Sequence, residues 1–361
     1  MSTSPQFSKN DTNIIKGLGI LMIMFHNYFH IIPPIPGENE FSFSPQSFDR
    51  FTYLLFSYPY DFIRYIFSYF GHYGVQLFVF ISSYGLYLSY KEKDIRFLAF
   101  LKKRILKIYP ALVIVALLLL VFITLYYLEF PETKIFYSIL LKLTLIFNFI
   151  PNEALAVSGP LWFFALIAQL YIIFPLLVSV TKKYGENMML AIALTFIIIT
   201  MFLNPVLLRH HLSLYYTFVG QLPVFCLGIY FAARPLIKIS DGIILVALLV
   251  FAIGNVNEYV WHFSFVAFTI FMLAVFIMLI PFLQRFKKLN AFLVFTGSFS
   301  LFLFAVHGMA RFPFTEIAKK YADPVITSLI SIVFIAGSYL FAWFVRIIET
   351  RVQKFIGSHS I

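Results

Sequence analysis

Long apolar stretches recur along the whole chain, separated by short polar or basic segments. An α-helix needs about 20 apolar residues to cross the hydrocarbon core of a bilayer. The pattern therefore predicts an all-α, polytopic transmembrane helical bundle. The weakest candidate is 136–150, which is short, contains Lys142 and ends in Asn148 before Pro151. The apolar segments are 13–32, 71–90, 108–128, 136–150, 161–181, 187–205, 213–233, 241–256, 260–283, 291–309 and 325–347.

The distribution of Lys and Arg decides whether 136–150 crosses the membrane, because cytoplasmic loops carry an excess of both. If the N-terminus is cytoplasmic and 136–150 is re-entrant or interfacial, 19 of the 27 Lys and Arg residues lie on the cytoplasmic side. If 136–150 spanned, all later basic loops would change sides. We therefore predict about ten spanning helices, one re-entrant or interfacial segment, and both termini in the cytoplasm of a multi-pass plasma (inner) membrane protein.

Composition agrees with one integral membrane domain over 1–361, since 61% of residues are hydrophobic, 12% are charged and the mean hydropathy is +0.89. The N-terminus lacks a basic region and a small-residue cleavage site, so we expect the first helix to be retained. One cysteine, Cys226, cannot form an internal disulfide. Because no Cys/His cluster has zinc spacing, we expect no metal site and no bound cofactor. The net charge of +11 is explained by basic membrane loops, so a nucleic-acid partner is not expected.

The first helix carries the strongest functional candidate. Lys16 and His26 are ten residues apart in the sequence, which is roughly 15 Å of helical rise. A single helix would thus carry a cation at one membrane surface and an imidazole beyond the bilayer midplane. An ionisable side chain at that depth indicates a functional site. A histidine hydrogen-bonded to a neighbouring helix would give the same sequence pattern. His30 follows on the same helix face at i, i+4.

Two segments on the predicted outer side add polar groups. The loop 33–70 is rich in Phe, Tyr and Ser, and it would form either a lid or acceptor platform or an aromatic interfacial belt. In 71–90, His72 and Gln76 share one helix face at i, i+4. Glycines in the same segment permit close helix packing.

The cytoplasmic loop 91–107 contains seven Lys and Arg residues. Such a cluster orients a membrane protein and contacts anionic lipid. A functional alternative is a site for a phosphorylated substrate, because Lys103, Arg104 and Lys107 can present cations from adjacent helical turns.

Five short motifs follow one another from residue 13 to about 310. They are Lys16 to His26; Gly71, Gly74, Val75, Leu77, Phe78 and Ser82; Lys103, Arg104, Lys107, Ile108, Tyr109 and Pro110; Leu161, Trp162, Tyr171 and Pro175; and Ser298 to His307. Each motif is mostly apolar, but their order and spacing resemble the acyltransferase-3 family of integral membrane acyltransferases.

The resemblance implies transfer of an acyl group, usually acetyl, from cytoplasmic acyl-coenzyme A to a hydroxyl of an extracytoplasmic or lipid-linked carbohydrate. Acyl-coenzyme A is then a donor substrate, and His26 is the general base that activates the acceptor hydroxyl. The candidates are His26, His30 and His307 for catalysis; Lys16, Lys103, Arg104 and Lys107 for acyl-coenzyme A; and His72, Gln76, Ser82, Trp162 and Tyr171 for the acceptor or the oxyanion.

The chain departs from the family pattern at several polar positions. Asn13, Lys16 and Lys107 stand where the family commonly has Asp, Arg and Arg, and Gln76 and Ile167 replace acidic residues. These losses argue against a carboxylate in the site. They also indicate a divergent acceptor or donor, or a loss of activity.

A secondary transporter of a small polar solute or glycolipid precursor is the alternative. Transporters bind substrate near the bilayer midplane and often contain internal repeats. This chain shows no convincing repeat, and its polar residues divide into cytoplasmic cations and outer histidines. That division favours two half-sites that face a shared interior.

Overall fold

The computed structural model describes residues 2–321 and 323–358. Those residues form helices almost throughout, with one short two-stranded sheet. In chain order the elements are β1 Ser2–Pro5, α1 Lys9–Phe29, α2 Pro45–Ser57, α3 Phe62–Phe70, α4 Gly74–Tyr90, α5 Phe97–Tyr127, α6 Thr133–Lys142, α7 Trp162–Tyr184, α8 Asn187–Leu208, α9 Phe218–Ala233, β2 Leu236–Ile239, α10 Asp241–Gly254, α11 Glu258–Trp261, α12 Ser264–Arg285, α13 Lys287–Tyr321 and α14 Pro324–Ser358.

The all-α, multi-pass character predicted from the sequence is confirmed. Within the described part of the chain, six helices are long and apolar enough to cross a membrane, and they lie in α5, α7, α8, α12, α13 and α14. The other predicted spans fall on α1, which includes Lys9, Asp11 and Lys16, and on the shorter helices α4, α9 and α10. The count of ten spans therefore stays a prediction. In the weakest segment, α6 has only 10 residues, about half the length needed to span.

Helix α1 is packed between α4 and α13 through glycines. A Cβ atom at Gly19 would lie 3.2 Å from the carbonyl oxygen of Gly74, and the reverse approach is closer still. On the other side, Gly297 of α13 lies against the backbone of Asn13. Small residues let helix backbones approach closely in a membrane, where packing and hydrogen bonds supply the attraction. This packing buries His26 inside the bundle.

The start of α1 is held in place by several backbone and side-chain contacts. Strand β1 pairs antiparallel with β2, from Ser2 opposite Ile239 to Pro5 opposite Leu236. Ser8 caps the helix, since its Oγ accepts from the Asp11 N–H at 3.2 Å while its own N–H donates to the Asp11 carboxylate at 2.8 Å. A capping box satisfies backbone donors that the first turn leaves free. The cations of α1 are thereby fixed relative to the bundle.

The loop between α1 and α2 is tied down over the other end of α1. The indole N–H of Trp261 donates to the Asn39 carbonyl at 2.7 Å, and the Asn39 amide donates to the Tyr69 hydroxyl at 3.0 Å. Arg64 donates to the Pro33 carbonyl at 2.8 Å. These bonds place the residues on both sides of Asn39 above His26.

Candidate active site

Two cavities lie near opposite ends of α1. The basic cavity, about 450 Å³ in volume, contains Lys9, Lys16 and Lys107 in its wall. The histidine cavity, about 240 Å³, contains His26 and His30. The structure thus divides the polar residues into a cationic and an imidazole-rich half, as the sequence pattern indicates.

The basic cavity presents three ammonium groups and one carboxylate, Glu349. Lys9, Asn13 and Lys16 follow one another at i, i+4 and i+7, so that they share the face of α1 that lines the cavity. Lys107 approaches from α5. Lys9 was not among the candidates from the sequence, although its spacing from Lys16 was the signal that could have identified it.

The three cations proposed as a phosphate clamp are separated by the structure. Lys107 lines the basic cavity, whereas Lys103 is exposed and Arg104 lies outside the cavity wall. The Arg104 guanidinium sits over the rings of Tyr90 and Phe100, with centroid distances of 5.3 and 5.5 Å. Because aromatic faces attract a guanidinium, this stacking holds Arg104 against the two rings.

Ser82 and Tyr171, which were acceptor or oxyanion candidates, line the basic cavity, as does Ile167. Gln76 lines neither cavity: its amide donates to the Gln221 side chain at 3.3 Å, which links α4 to α9. The structure thus places Gln76 in a helix–helix hydrogen bond outside both cavity walls.

His26 is 3% exposed, and both of its ring nitrogens face a partner. Nδ1 lies 3.0 Å from the Ser68 carbonyl oxygen, and Nε2 lies 3.0 Å from a Glu38 carboxylate oxygen and 3.8 Å from Glu40. A carbonyl oxygen only accepts hydrogen bonds, so the proton of the neutral ring belongs on Nδ1. Nε2 is thus the ring atom that exchanges a proton: it donates to the Glu38 carboxylate in the charged ring, and it can accept a proton in the neutral ring.

Glu38 and Glu40 correct the expectation that no carboxylate takes part in the site. Burial alone would raise the pKa of Glu38, but the charge and hydrogen bond of His26 lower that pKa to about 2. Burial, followed by the charge of Glu38, raises the pKa of Glu40 well above its usual value. The negative charge of this pair of carboxyl groups is therefore favoured on Glu38 and disfavoured on Glu40. Glu38 and Glu40 both lie in a loop. Helical periodicity does not relate a loop residue to His26, so the sequence pattern did not predict that these carboxylates approach it.

The other histidine candidates surround His26 at different depths. The His30 ring stacks on His26 with centroids 4.6 Å apart, and the His72 ring lies 5.5 Å away. His72 lines the histidine cavity, and neither of its ring nitrogens has a hydrogen-bond partner among the described residues. His307 is fully buried, is absent from the cavity wall, and directs Nδ1 at the Leu303 and Phe304 carbonyls of its own helix.

Three further residues bring polar groups to the histidine cavity. Trp162, a candidate for the acceptor or the oxyanion, lines it. Arg311 and Asn27 also line it, and the guanidinium donates to the Asn27 carbonyl at 2.6 Å. Neither was identified from the sequence, although a single cation just beyond the apolar segment 291–309 was a usable signal for Arg311.

A metal ion would also find ligands here. One ligand atom each from His26, His30 and Glu38 lies within 4.8 Å of the others. Two imidazoles and a carboxylate match the donor set of some catalytic zinc sites, which take a water as fourth ligand. The close contact between His26 and Glu38 is equally the geometry of an imidazole–carboxylate pair without metal.

The comparisons with known proteins bear on the whole chain. A family model described as an acyltransferase domain matches residues 10–345. Neither the curated proteins nor the solved structures contain a match to the chain.

Proposed function

Because this chain belongs to the acyltransferase-3 family, we propose that it transfers an acyl group, most simply acetyl, from cytoplasmic acyl-coenzyme A to a hydroxyl of an extracytoplasmic or lipid-linked carbohydrate. The observation that carries the proposal is the pair of cavities near opposite ends of α1, one cationic and one built around His26. Such an enzyme would modify a cell-surface polysaccharide from the plasma (inner) membrane, with both termini in the cytoplasm.

The basic cavity suits the donor. Coenzyme A carries phosphate groups at one end and the thioester at the end of a long, thin pantetheine arm. Three lysines, Lys9, Lys16 and Lys107, line this cavity, and ammonium groups bind phosphates as compact charges. From Lys16 to His26 the helix rises roughly 15 Å, a distance that an extended pantetheine arm can cover.

The histidine cavity suits the acceptor and the chemical step. His26 Nε2 takes the proton of the acceptor hydroxyl while the hydroxyl oxygen attacks the thioester carbonyl. The intermediate collapses by breaking the carbon–sulfur bond, which leaves an ester on the acceptor. The coenzyme A thiolate takes the proton from the imidazolium, and the thiol leaves. No atom or charge is left over.

Glu38 stabilises the imidazolium during this step. Its side chain is 31% exposed and comes from a loop, so it can yield its place at Nε2 to the acceptor hydroxyl while its charge stays close. Arg311, Trp162 and His72 in the same wall are candidates to orient the acceptor or to stabilise the oxyanion.

The test uses purified protein in lipid nanodiscs with radiolabelled acetyl-coenzyme A. We expect saturable binding, slow release of coenzyme A by hydrolysis, and transfer of label to a polysaccharide or glycolipid extract. Absence of both binding and turnover with acetyl-, succinyl- and longer acyl-coenzyme A would contradict the enzyme and would favour the secondary transporter.

Removing cations from the basic cavity should weaken donor binding. For Lys16→Ala and Lys107→Ala we expect the donor KM to rise about tenfold with little change in kcat, because the phosphate contacts are the same in ground and transition states. Lys102→Ala is the matched control, since Lys102 is exposed on the same helix as Lys107 and lines neither cavity. Equal donor KM values for Lys107→Ala and Lys102→Ala would contradict the assignment of the basic cavity as the acyl-coenzyme A site.

Gly71 should be required for the position of His26. A Cβ atom at Gly71 would lie 2.7 Å from the His26 Cβ and 2.7 Å from the Met22 carbonyl oxygen. We expect Gly71→Ala to lower kcat about tenfold, because small displacements of a catalytic group are costly. Gly85→Ala on α4 is the control, since a Cβ there meets nothing within 4 Å. Initial rates measured beside the melting temperature would separate misplacement from unfolding; a Gly71→Ala enzyme with wild-type kcat would count against this positioning.

A further inference from the structure

Four helices pass along both cavities, and on each of them the boundary between the cavities can be located. On α4, Val75 lines the histidine cavity and Phe78, one turn later, lines the basic cavity. At the start of α7, Trp162 lines the histidine cavity and Phe163 lines the basic cavity. On α13, Phe304 lines both cavities. The fourth helix, α1, runs from Lys16 in the basic wall to Ile23 and His26 in the histidine wall.

The residues at this boundary are phenylalanines from three different helices. The Phe163 and Phe304 rings are 4.6 Å apart between centroids, and Phe78 lies 6.1 Å from Phe163 and 6.2 Å from Phe304. Each of the three is no more than 8% exposed. We refer to Phe78, Phe163 and Phe304 as the aromatic partition. Its rings fill the space between two cavities that otherwise follow the same four helices.

The partition stands between the donor phosphates and the base of the proposed reaction. The lysines lie on one side of it and His26 on the other, so the acyl thioester has to reach the far side of Phe304. Resting on the proposed function, we infer that the aromatic partition separates a donor compartment from an acceptor compartment of one passage, and that Phe304 limits which acyl thioesters reach His26.

Two physical consequences follow from the position of Phe304. A closed partition keeps water of the acceptor side from the thioester, and excluding water suppresses hydrolysis of a reactive group. A bulky ring also leaves room for a short acyl chain and obstructs a long one, since buried aromatic side chains are tightly packed and yield little space. The passage therefore takes a thioester with a small acyl group.

The kinetic test compares Phe304→Ala with the wild-type protein on acetyl-, butyryl- and octanoyl-coenzyme A. We expect Phe304→Ala to raise hydrolysis without acceptor about tenfold and to shift the ratio of kcat/KM for octanoyl over acetyl by a similar factor. Phe299→Ala is the matched control, because Phe299 is equally buried on α13 but packs toward Tyr339 and lines neither cavity. Unchanged hydrolysis and chain-length preference in a folded Phe304→Ala protein would overturn the inference.

A second measurement does not depend on turnover. In a Cys226→Ala background, Val75→Cys reports on the histidine cavity and Ser82→Cys on the basic cavity, since these two positions of α4 line different cavities. Sealed vesicles are treated with an anionic, membrane-impermeant methanethiosulfonate from the face that carries the basic cavity. We expect Phe304→Ala to speed modification at position 75 about tenfold and to leave the rate at position 82 nearly unchanged.

The two readouts separate the inference from the proposed function. If the wild-type protein turns over no acyl-coenzyme A but Phe304→Ala opens position 75 to the reagent, the partition stands and the acyltransferase assignment fails. If the wild type is active and position 75 reacts equally fast with and without Phe304, the partition is wrong.

Discussion

Replacing His26 with alanine should lower kcat about 10³-fold, because proton transfer by a positioned base contributes in this range. Binding of acetyl-coenzyme A should be nearly unchanged, since the phosphates are held in the basic cavity, roughly 15 Å away along α1. The measurement is single-turnover transfer of radiolabelled acetyl beside equilibrium binding of the donor. A loss of kcat without a loss of binding identifies a group that acts only in the chemical step.

A second histidine provides the control for His26→Ala. His262 is 7% exposed and its Nδ1 pairs with the Tyr215 hydroxyl at 2.6 Å, but it lines neither cavity. His262→Ala removes one buried hydrogen bond, which costs about 1 kcal/mol of stability. His26→Ala also leaves the Glu38 carboxylate without its partner, so we expect a somewhat lower melting temperature for His26→Ala but a folded protein, and very different kcat values. If His26→Ala kept activity within about threefold of His262→Ala, His26 would not be the base.

The charge of Glu38 should matter far more than that of its neighbour. The charge and hydrogen bond of His26 lower the pKa of Glu38 to about 2, while burial and the charge of Glu38 raise the pKa of Glu40 well above its usual value. Glu38→Gln removes a negative charge 3.0 Å from Nε2, and we expect kcat to fall about 10- to 100-fold because the imidazolium loses its counter-charge. The raised pKa of Glu40 disfavours a negative charge there, and glutamine keeps a hydrogen-bonding group, so for Glu40→Gln we expect less than about a threefold change.

The comparison of these two glutamine variants is informative because both carboxylates belong to the same loop and both approach His26. Equal losses for Glu38→Gln and Glu40→Gln would show that loop packing, and not charge, supports the reaction. A Glu38→Gln enzyme with normal kcat would remove the carboxylate from the mechanism. Rates should be measured at saturating donor, so that a change in KM does not imitate a change in kcat.

Much of the fold was accessible from the sequence because hydrophobic length and helical periodicity are local properties. Each of the predicted spans falls on a helix of the structure, and 136–150 overlaps the short α6, Thr133–Lys142, and includes one 3-10 turn, Phe147–Phe149. Helix ends were less well predicted: α13, Lys287–Tyr321, extends well beyond the predicted segment 291–309. Its later turns are amphipathic and contain Arg311, so hydropathy alone stops short of them.

The site was predictable where its residues share a helix. Lys16 and His26 are joined by α1, and fixed helical rise places one in the basic wall and the other in the histidine wall. The stacking of Arg104 could not be predicted, because the sequence does not reveal the rings of Tyr90 and Phe100 beneath its guanidinium. The hydrogen bond of Gln76 could not be predicted either, because its partner, Gln221, is distant in sequence and lies on another helix.

The sequence by itself determined an all-α membrane protein and the segregation of cations from histidines, and it singled out His26 as a candidate, since each follows from residue order and one helical period. Only the tertiary structure decided which groups surround His26. The carboxylate of Glu38 arrives on a loop, the carbonyl of Ser68 on α3, and the ring of Phe304 on α13. These contacts depend on how segments distant in sequence pack together, and such long-range contacts produce no periodic pattern of residues in the sequence.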